Sequence, residues 1–227
     1  MRVSVIIVSA GKSTRMGGIN KQFLELSGIP VLIRSIMAFD EIENVSEIIV
    51  VTNKDSVSET EKMIEGFSFK KPIKVTDGGE TRQQSVFNGF RLVSDDSDFV
   101  TIHDGARPLV SENAIKCVIK DAQAHGASTL GVPVKDTIKV VENGFISDTP
   151  ERSKLFIAQT PQTFEKALYK KGIENALENS MDFTDDCQLI EAIGVKVFMT
   201  IGDYSNIKIT TPEDIRLAEF FLSERND

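Results

Sequence analysis

The chain has 227 residues, of which 34 are Asp or Glu and 26 are Lys or Arg, giving a formal net charge of −8 at pH 7. With 41% hydrophobic and 26% charged residues it has the make-up of a folded soluble protein and not of a disordered one. So acidic a surface is poorly suited to gripping nucleic acid or an anionic membrane, and no apolar run approaches the roughly 18 residues of a membrane span.

Taken in chain order, Val3-Ser-Val-Ile-Ile-Val8 is β-branched and almost wholly apolar, the pattern of a strand buried on both faces. It is too short, and lacks the small-residue site, to be a signal peptide. Val31–Phe39 carries apolar residues at helical spacing, with Pro30 beside its first turn. Ile48–Val51 reads as a second buried strand, Ser56–Ile64 as a polar helix and Ile73–Val75 as a short strand. Thr81–Val93 is predicted helical, with Val86, Phe90 and Val93 on one face. A strand follows at Phe99–Ile102, then a helix at Glu112–Ala124 that Gly126 stops, then a strand at Thr129–Val134. Asp185–Ile193 reads as a helix capped by Asp185 with Gln188 three residues on, and Val195–Met199 as a strand. Thr211-Pro-Glu-Asp214 is a helix start: a hydroxyl at the N-cap, proline at the first position, then acids at the positive end of the dipole.

This alternation predicts an α/β fold, a Rossmann-like, mostly parallel sheet with helices on both faces, in a single domain over residues 1–227. Residues 135–155 break the pattern. Asn143-Gly144 is a hairpin turn between Thr137–Val141 and Phe145–Ser147, so a β-arm is expected to protrude there. Cys117 and Cys187 lie far apart with no Cys-x-x-Cys, which argues for small apolar packing residues in a reducing cytoplasm.

Ligands of such sheets sit beyond the carboxyl ends of the strands, and the chemistry-bearing residues follow those ends. After the first strand comes Ser9-Ala-Gly-Lys-Ser-Thr-Arg-Met-Gly-Gly18, whose small residues and consecutive amides suit phosphate oxygens, with Arg15 and Lys21 supplying charge. It is not a P-loop, because Ile6 stands where that motif needs its first glycine. Asp77-Gly-Gly-Glu-Thr-Arg82 follows the third strand and opens a helix. His103-Asp-Gly-Ala-Arg-Pro108 follows the next. There Asp104 is either a ligand for Mg²⁺, a hard cation that prefers carboxylate and phosphate oxygens, or a turn-capping aspartate paired with Arg107. His103 reads as a hydrogen-bonded structural histidine, Asp185-Asp186 as helix caps before metal ligands, and Cys187 lacks a nearby histidine to make it a nucleophile. Near the C-terminus Lys208 precedes the well-capped last helix. Cations, one strand-end carboxylate and glycine loops, without an evident general base, suit phosphoryl or nucleotidyl transfer, where positioning and charge neutralisation do most of the work.

The chain resembles the sugar-phosphate nucleotidyltransferases in Ser9–Met16 followed by Lys21-Gln-Phe23. Gly78–Arg82 with Ser85-Val86 and Asn88-Gly89, His103–Pro108, Pro133–Lys139, Gln159–Phe164, Thr184–Asp186 and Asn206–Asp214 narrow the resemblance to the 2-C-methyl-D-erythritol 4-phosphate cytidylyltransferases, in order and across nearly the whole chain. The resemblance implies that CTP and the sugar-alcohol phosphate are joined, releasing pyrophosphate, by a cytoplasmic, Mg²⁺-dependent homodimer of the non-mevalonate isoprenoid pathway. It implies that Ala10 and Gly11 hold nucleotide by their amides, that Arg15 and Lys21 neutralise the triphosphate and that Lys208 steadies the α-phosphate. Gly79, Glu80 and Ser85 would line the cytidine pocket with Gly105 beside it, and Asp104 would lie near metal and ribose. Thr137, Arg152 and Thr184 would contact the acceptor, the first two from the arm across a dimer. Three positions depart from the family pattern. Ser9 replaces an alanine, Ser13 replaces a glycine and could offer its hydroxyl to a phosphate, and Phe23 keeps the ring of the usual tyrosine without its hydroxyl. The nearest alternative is a ribitol-5-phosphate cytidylyltransferase, which shares the glycine elements and Asn206–Pro212, but Val134–Lys139 and Asp148–Arg152 match the methylerythritol enzymes better. An alternative of another class is a non-catalytic nucleotide-binding protein on the same scaffold, against which the full set of expected cations argues.

Overall fold

The structure, a computed structural model, describes residues 1–11 and 22–224. Its elements are β1 (Val3–Val8), the short pair β2 (Glu25–Leu26) and β3 (Ile29–Pro30), α1 (Val31–Asp40), β4 (Val45–Thr52), α2 (Val57–Glu65), β5 (Ile73–Asp77), α3 (Arg82–Phe90), β6 (Phe99–Asp104), α4 (Glu112–His125), β7 (Ala127–Pro133), β8 (Val140–Glu142), β9 (Phe145–Asp148), β10 (Phe156–Glu165), α5 (Lys166–Glu178), α6 (Cys187–Ala192), β11 (Phe198–Ile201) and α7 (Pro212–Ser223). Seven strands form one sheet in the order β11-β7-β10-β6-β1-β4-β5. All are parallel except β10, which runs antiparallel to both β6 and β7. The fold is the expected α/β arrangement.

Side chains alternate across a strand, so the uninterrupted apolar run of β1 feeds two cores. Val3, Val5 and Ile7 join Ile48 and Val50 of β4 under α1 and α4, where Ile33, Ile36, Phe39, Ile115 and Val118 meet them. Ile6 joins Ile49 and Val51 on the other face, under α3, α5 and α6, with Val86, Tyr169, Ile173 and Leu189. Gly126 ends α4 at φ 83°, a left-handed position that only glycine takes cheaply. Thr211 and Asp214 complete a capping box at α7, with Pro212 at its start. Asn143 and Gly144 both have positive φ (51° and 85°), as a tight hairpin turn demands, and β8 and β9 stand exposed along their length as the anticipated arm.

The sequence reading had no strand at β10 and no helix at α5. The region expected to be a helix from Asp185 is helical only from Cys187, although the capping bond itself forms, Gln188 N donating to Asp185 Oδ1 at 3.1 Å. The last sheet strand lies at Phe198–Ile201, later than Val195–Met199.

At the amino end of the sheet, Glu47 is buried and ties three strands together. Its carboxylate accepts from Ser4 Oγ (2.6 Å), Ser94 N (2.7 Å) and Lys74 Nζ (2.7 Å). Burial alone would raise its pKa, but these bonds outweigh burial and hold it below the ordinary value of 4.5. A carboxyl whose folded pKa is depressed adds stability that is present above the unfolded value and lost as pH falls through the folded one. Glu47→Gln should therefore cost about 1–3 kcal/mol at neutral pH. That deficit should shrink as the pH drops below 4.5. Melting temperature against pH for both proteins checks this; two parallel curves would refute it.

Candidate active site

The carboxyl ends of β1, β4, β5 and β6 meet around a cavity of about 400 Å³. From β1 the chain turns outward to β4 on one side and later returns as β6 on the other, so the cavity sits where the strand order reverses, the place a doubly wound sheet leaves open. Ala10 and Gly11 beyond β1, Gly79 and Glu80 beyond β5, Ser85 on α3, Asp104 and Lys208 all line it. The first loop approaches the second closely: a Cβ on Gly78 would stand 2.6 Å from Ala10 Cβ and 2.7 Å from Ser85 Oγ, so no larger residue fits. Ser85 Oγ accepts from Gly79 N at 3.1 Å and donates to Thr81 O at 2.9 Å, fixing the second glycine loop to the start of α3. Ser9 is buried, and its hydroxyl donates to Val51 O at 2.8 Å, so the departure from alanine is absorbed by a neighbouring strand.

At the centre stands Asp104, the last residue of β6, with its side chain 10% exposed. Lys208 Nζ lies 2.7 Å from its Oδ2, Arg107 Nε 3.7 Å from the same oxygen, and Arg82 Nε 3.7 Å from Oδ1. Burial pushes this carboxyl toward the neutral form, but Lys208, Arg82 and Arg107 together prevail and hold it well below the usual carboxylate range. Of the two sequence alternatives for Asp104, the pairing with Arg107 is formed, and the residue also lines the cavity.

Lys208 reaches Asp104 because its segment is stitched to the turn after β6. Ile209 N donates to Ala106 O at 2.8 Å, and Arg107 Nη1 donates to Asn206 O at 2.7 Å. The turn itself is set by His103. Its Nε2 is 3.1 Å from Arg107 O, a pure acceptor, so Nε2 carries the proton and Nδ1 accepts from Thr160 Oγ1 at 3.1 Å. Complete burial lowers the pKa of His103 to about 4, so the ring is neutral at physiological pH, a structural histidine as the sequence implied. Thr160 Oγ1 also accepts from Asp104 N at 3.0 Å. It does so from a bulge in β10, where pairing with β7 jumps from Ala158–Gly131 to Gln162–Thr129.

The other anticipated residues fall elsewhere. Gly105 does not line the cavity; it packs behind it, where a Cβ would crowd Ser9 and Ile7. Thr137 and Arg152 are exposed on the arm, Arg152 Nη1 donating to Lys135 O at 2.9 Å. Thr184 is exposed and bonded to Gln188 Oε1. Arg15 and Lys21 lie outside the described residues. Conversely, Arg82, Thr160 and Asn206 had no assigned role and prove central. Arg82 left a trace in the sequence: a cation at the first position of a helix opposes the helix dipole and needs a carboxylate to hold it.

A family model described as IspD, 2-C-methyl-D-erythritol 4-phosphate cytidylyltransferase, matches residues 3–224. The chain belongs to the 2-C-methyl-D-erythritol 4-phosphate cytidylyltransferases. A member from Caldanaerobacter subterraneus subsp. tengcongensis is 52% identical over 98% of this chain and 99% of its own, and one from Clostridioides difficile is 45% identical over 99% and 95%. The crystal structure of 4-diphosphocytidyl-2C-methyl-D-erythritol synthase from Anaerococcus prevotii superposes with a TM-score of 0.87 at 32% identity, over 98% of this chain and 96% of that one. The 2-C-methyl-D-erythritol 4-phosphate cytidylyltransferase of Thermus thermophilus gives 0.79 at 31%, over 97% and 98%. These matches favour the methylerythritol enzymes over the ribitol alternative.

For a cytidylyltransferase the Lys208–Asp104 pair places a cation at the mouth of both glycine loops. Lys208→Ala should lower kcat on the order of 10²–10³-fold, the cost of one preorganised charge. Because Lys208 is the nearest partner of a carboxylate only 10% exposed, its loss should also lower the melting temperature, so turnover is compared per folded enzyme. Unchanged turnover in the folded variant would remove Lys208 from the reaction.

Proposed function

We propose that the cavity binds CTP and that the chain transfers its cytidylyl group to 2-C-methyl-D-erythritol 4-phosphate, giving 4-diphosphocytidyl-2-C-methyl-D-erythritol and pyrophosphate for isoprenoid synthesis. The observation that carries this reading is the cluster of Lys208, Arg82 and Arg107 about Asp104, set inside a cavity walled by two glycine loops. The acceptor phosphate is already anionic, its second pKa lying near 6. An acceptor oxygen attacks the α-phosphorus, the new P–O bond forms, and the bond to the β-phosphate breaks with its electron pair leaving on pyrophosphate. No base is required, which agrees with a neutral, fully buried His103. The obstacle is repulsion between two anions, and fixed cations remove it. Lys208 serves the α-phosphate in this scheme, and Arg15 and Lys21 the rest of the triphosphate.

Among the described residues no group of three His, Cys, Asp or Glu could cage a metal ion. Arg82 Nε lies 3.7 Å from Asp104 Oδ1, beyond hydrogen-bond distance. One carboxylate beside triphosphate oxygens suits Mg²⁺, which retains waters and takes phosphate ligands. Asp104 would hold the ion, which when bound would supply neutralisation of the departing pyrophosphate.

Thr137, Arg152 and Thr184 are assigned to the acceptor. The arm carries Val141, Phe145 and Ile146 at 56, 79 and 64% exposure, an apolar surface that one chain leaves uncovered. That supports pairing of two copies through their arms, each lending Arg152 to the other's acceptor. No helix among the described residues is long and apolar enough to cross a membrane.

Purified protein given CTP with either sugar phosphate should release pyrophosphate with the methylerythritol acceptor; turnover of ribitol 5-phosphate alone would reverse the assignment. Arg152→Ala should raise the acceptor's KM more than that of CTP, and equal effects on both would count against its role. Phe145→Glu should shift the sedimenting species from dimer to monomer; an unaltered dimer would move the interface away from the arm.

A further inference from the structure

Arg82 lines the cavity, yet its shortest bond points away from it. Nη1 meets Asp186 Oδ2 at 2.6 Å, in a pair whose side chains are 25% and 1% exposed. The other oxygen of Asp186 accepts from Tyr169 OH at 2.6 Å, and Tyr169 is fully buried. The backbone N of Asp186 donates to Gln162 Oε1 at 3.1 Å, and Gln162 sits on β10 directly opposite Ile102 of β6. Asp186 is therefore held at two points before it touches Arg82. The loop leading into it is laced to the first turn of α3 as well. Thr81 Oγ1 donates to Asp182 Oδ1 (3.0 Å), Gln83 Nε2 donates to Met181 O (2.8 Å), and Phe183 N donates to Gln83 Oε1 (2.9 Å).

So much fixing is not needed for packing. Buried ion pairs of this kind commonly give way to apolar residues of equal volume at no loss of stability. What an apolar replacement cannot supply is a charge held in a set direction. A free arginine would sweep many rotamers, whereas here the guanidinium is braced between Asp186 behind it and Asp104 before it. Burial works against its charge, and the two carboxylates more than restore it.

We infer that Asp186 is a positioning residue for nucleotidyl transfer: with Tyr169 behind it, it aims Arg82 into the cavity so that the guanidinium meets the bound nucleotide's phosphates without reorganising. This rests on the cytidylyl-transfer reading above. Asp186 touches no substrate, and all of its effect passes through Arg82. Preorganised charge is worth most in the transition state, so the loss on removing the brace falls chiefly on kcat.

The test is a cycle of Asp186→Asn, Arg82→Ala and the double variant, with kcat and both KM values measured per folded enzyme. D186N should lower kcat roughly ten- to a hundredfold, as misplacement of a reacting group does. The acceptor's KM should stay within twofold. The double variant should be no worse than R82A, because a brace with nothing to hold has no effect. D186E should recover part of the loss. Should D186N fail to fold, Tyr169→Phe deletes only the hydroxyl, and it should lower kcat in the presence of Arg82 and leave it unchanged in R82A. Losses that add in the double variant, or D186N with the parent's kcat, would overturn the inference while leaving CTP transfer in place. A parent enzyme that forms no pyrophosphate from CTP and the methylerythritol acceptor would overturn both together.

Discussion

Among the described residues, the cations of the cavity are arranged around one ionised carboxylate. Asp104 closes the central strand β6 with three cationic side chains about it, drawn from the start of α3, the turn after β6 and the segment before α7. These pieces are far apart in the chain, and like charges would drive Arg82, Arg107 and Lys208 apart without an anion between them. For Arg82 and Arg107 the same anion works against the penalty that burial puts on their charge. In the proposed reaction a triphosphate would meet positive groups already gathered, at a cost already met by folding.

The support for this centre comes largely from β10, the one strand that runs against the rest. Its bulge places Thr160 between the backbone of Asp104 and the ring of His103, while Gln159 and Thr160 together bind the amide of Asn206. Through those contacts the C-terminal segment is registered against the sheet, and Lys208 with it. The buried polar residues of β10 are thus the frame on which the cations are mounted.

β1 and β4 were legible in the sequence because they are almost wholly buried and rich in Val and Ile. The helices were legible where a cap or a stop marked them, as at Gly126 and Thr211. β10 was not. Gln159, Thr160, Gln162 and Thr163 are all buried polar residues, and Pro161 sits among them, so hydropathy and propensity both pointed away from a strand. Their burial is possible only because tertiary partners satisfy them, which no local pattern records. The glycine loops and Lys208 could be picked out because strand ends are where ligands bind. Arg82 and Asp186 could not be joined on paper, since their pairing across 104 positions depends on where α6 comes to rest.

The bulge in β10 also sets what kinds of change the chain can tolerate. Beyond it, Phe164 is fully buried while Glu165 faces out, and the strand has only this alternation to keep them so. Losing a single residue between Ala158 and Gln162 would set Glu165 where Phe164 is buried, and gaining one would set Phe164 where Glu165 faces out. The hairpin at Asn143-Gly144 sets no register in the seven-stranded sheet, since β8 and β9 form a separate two-stranded pair. Chain length is therefore fixed most tightly in the few residues where β10 re-enters the sheet.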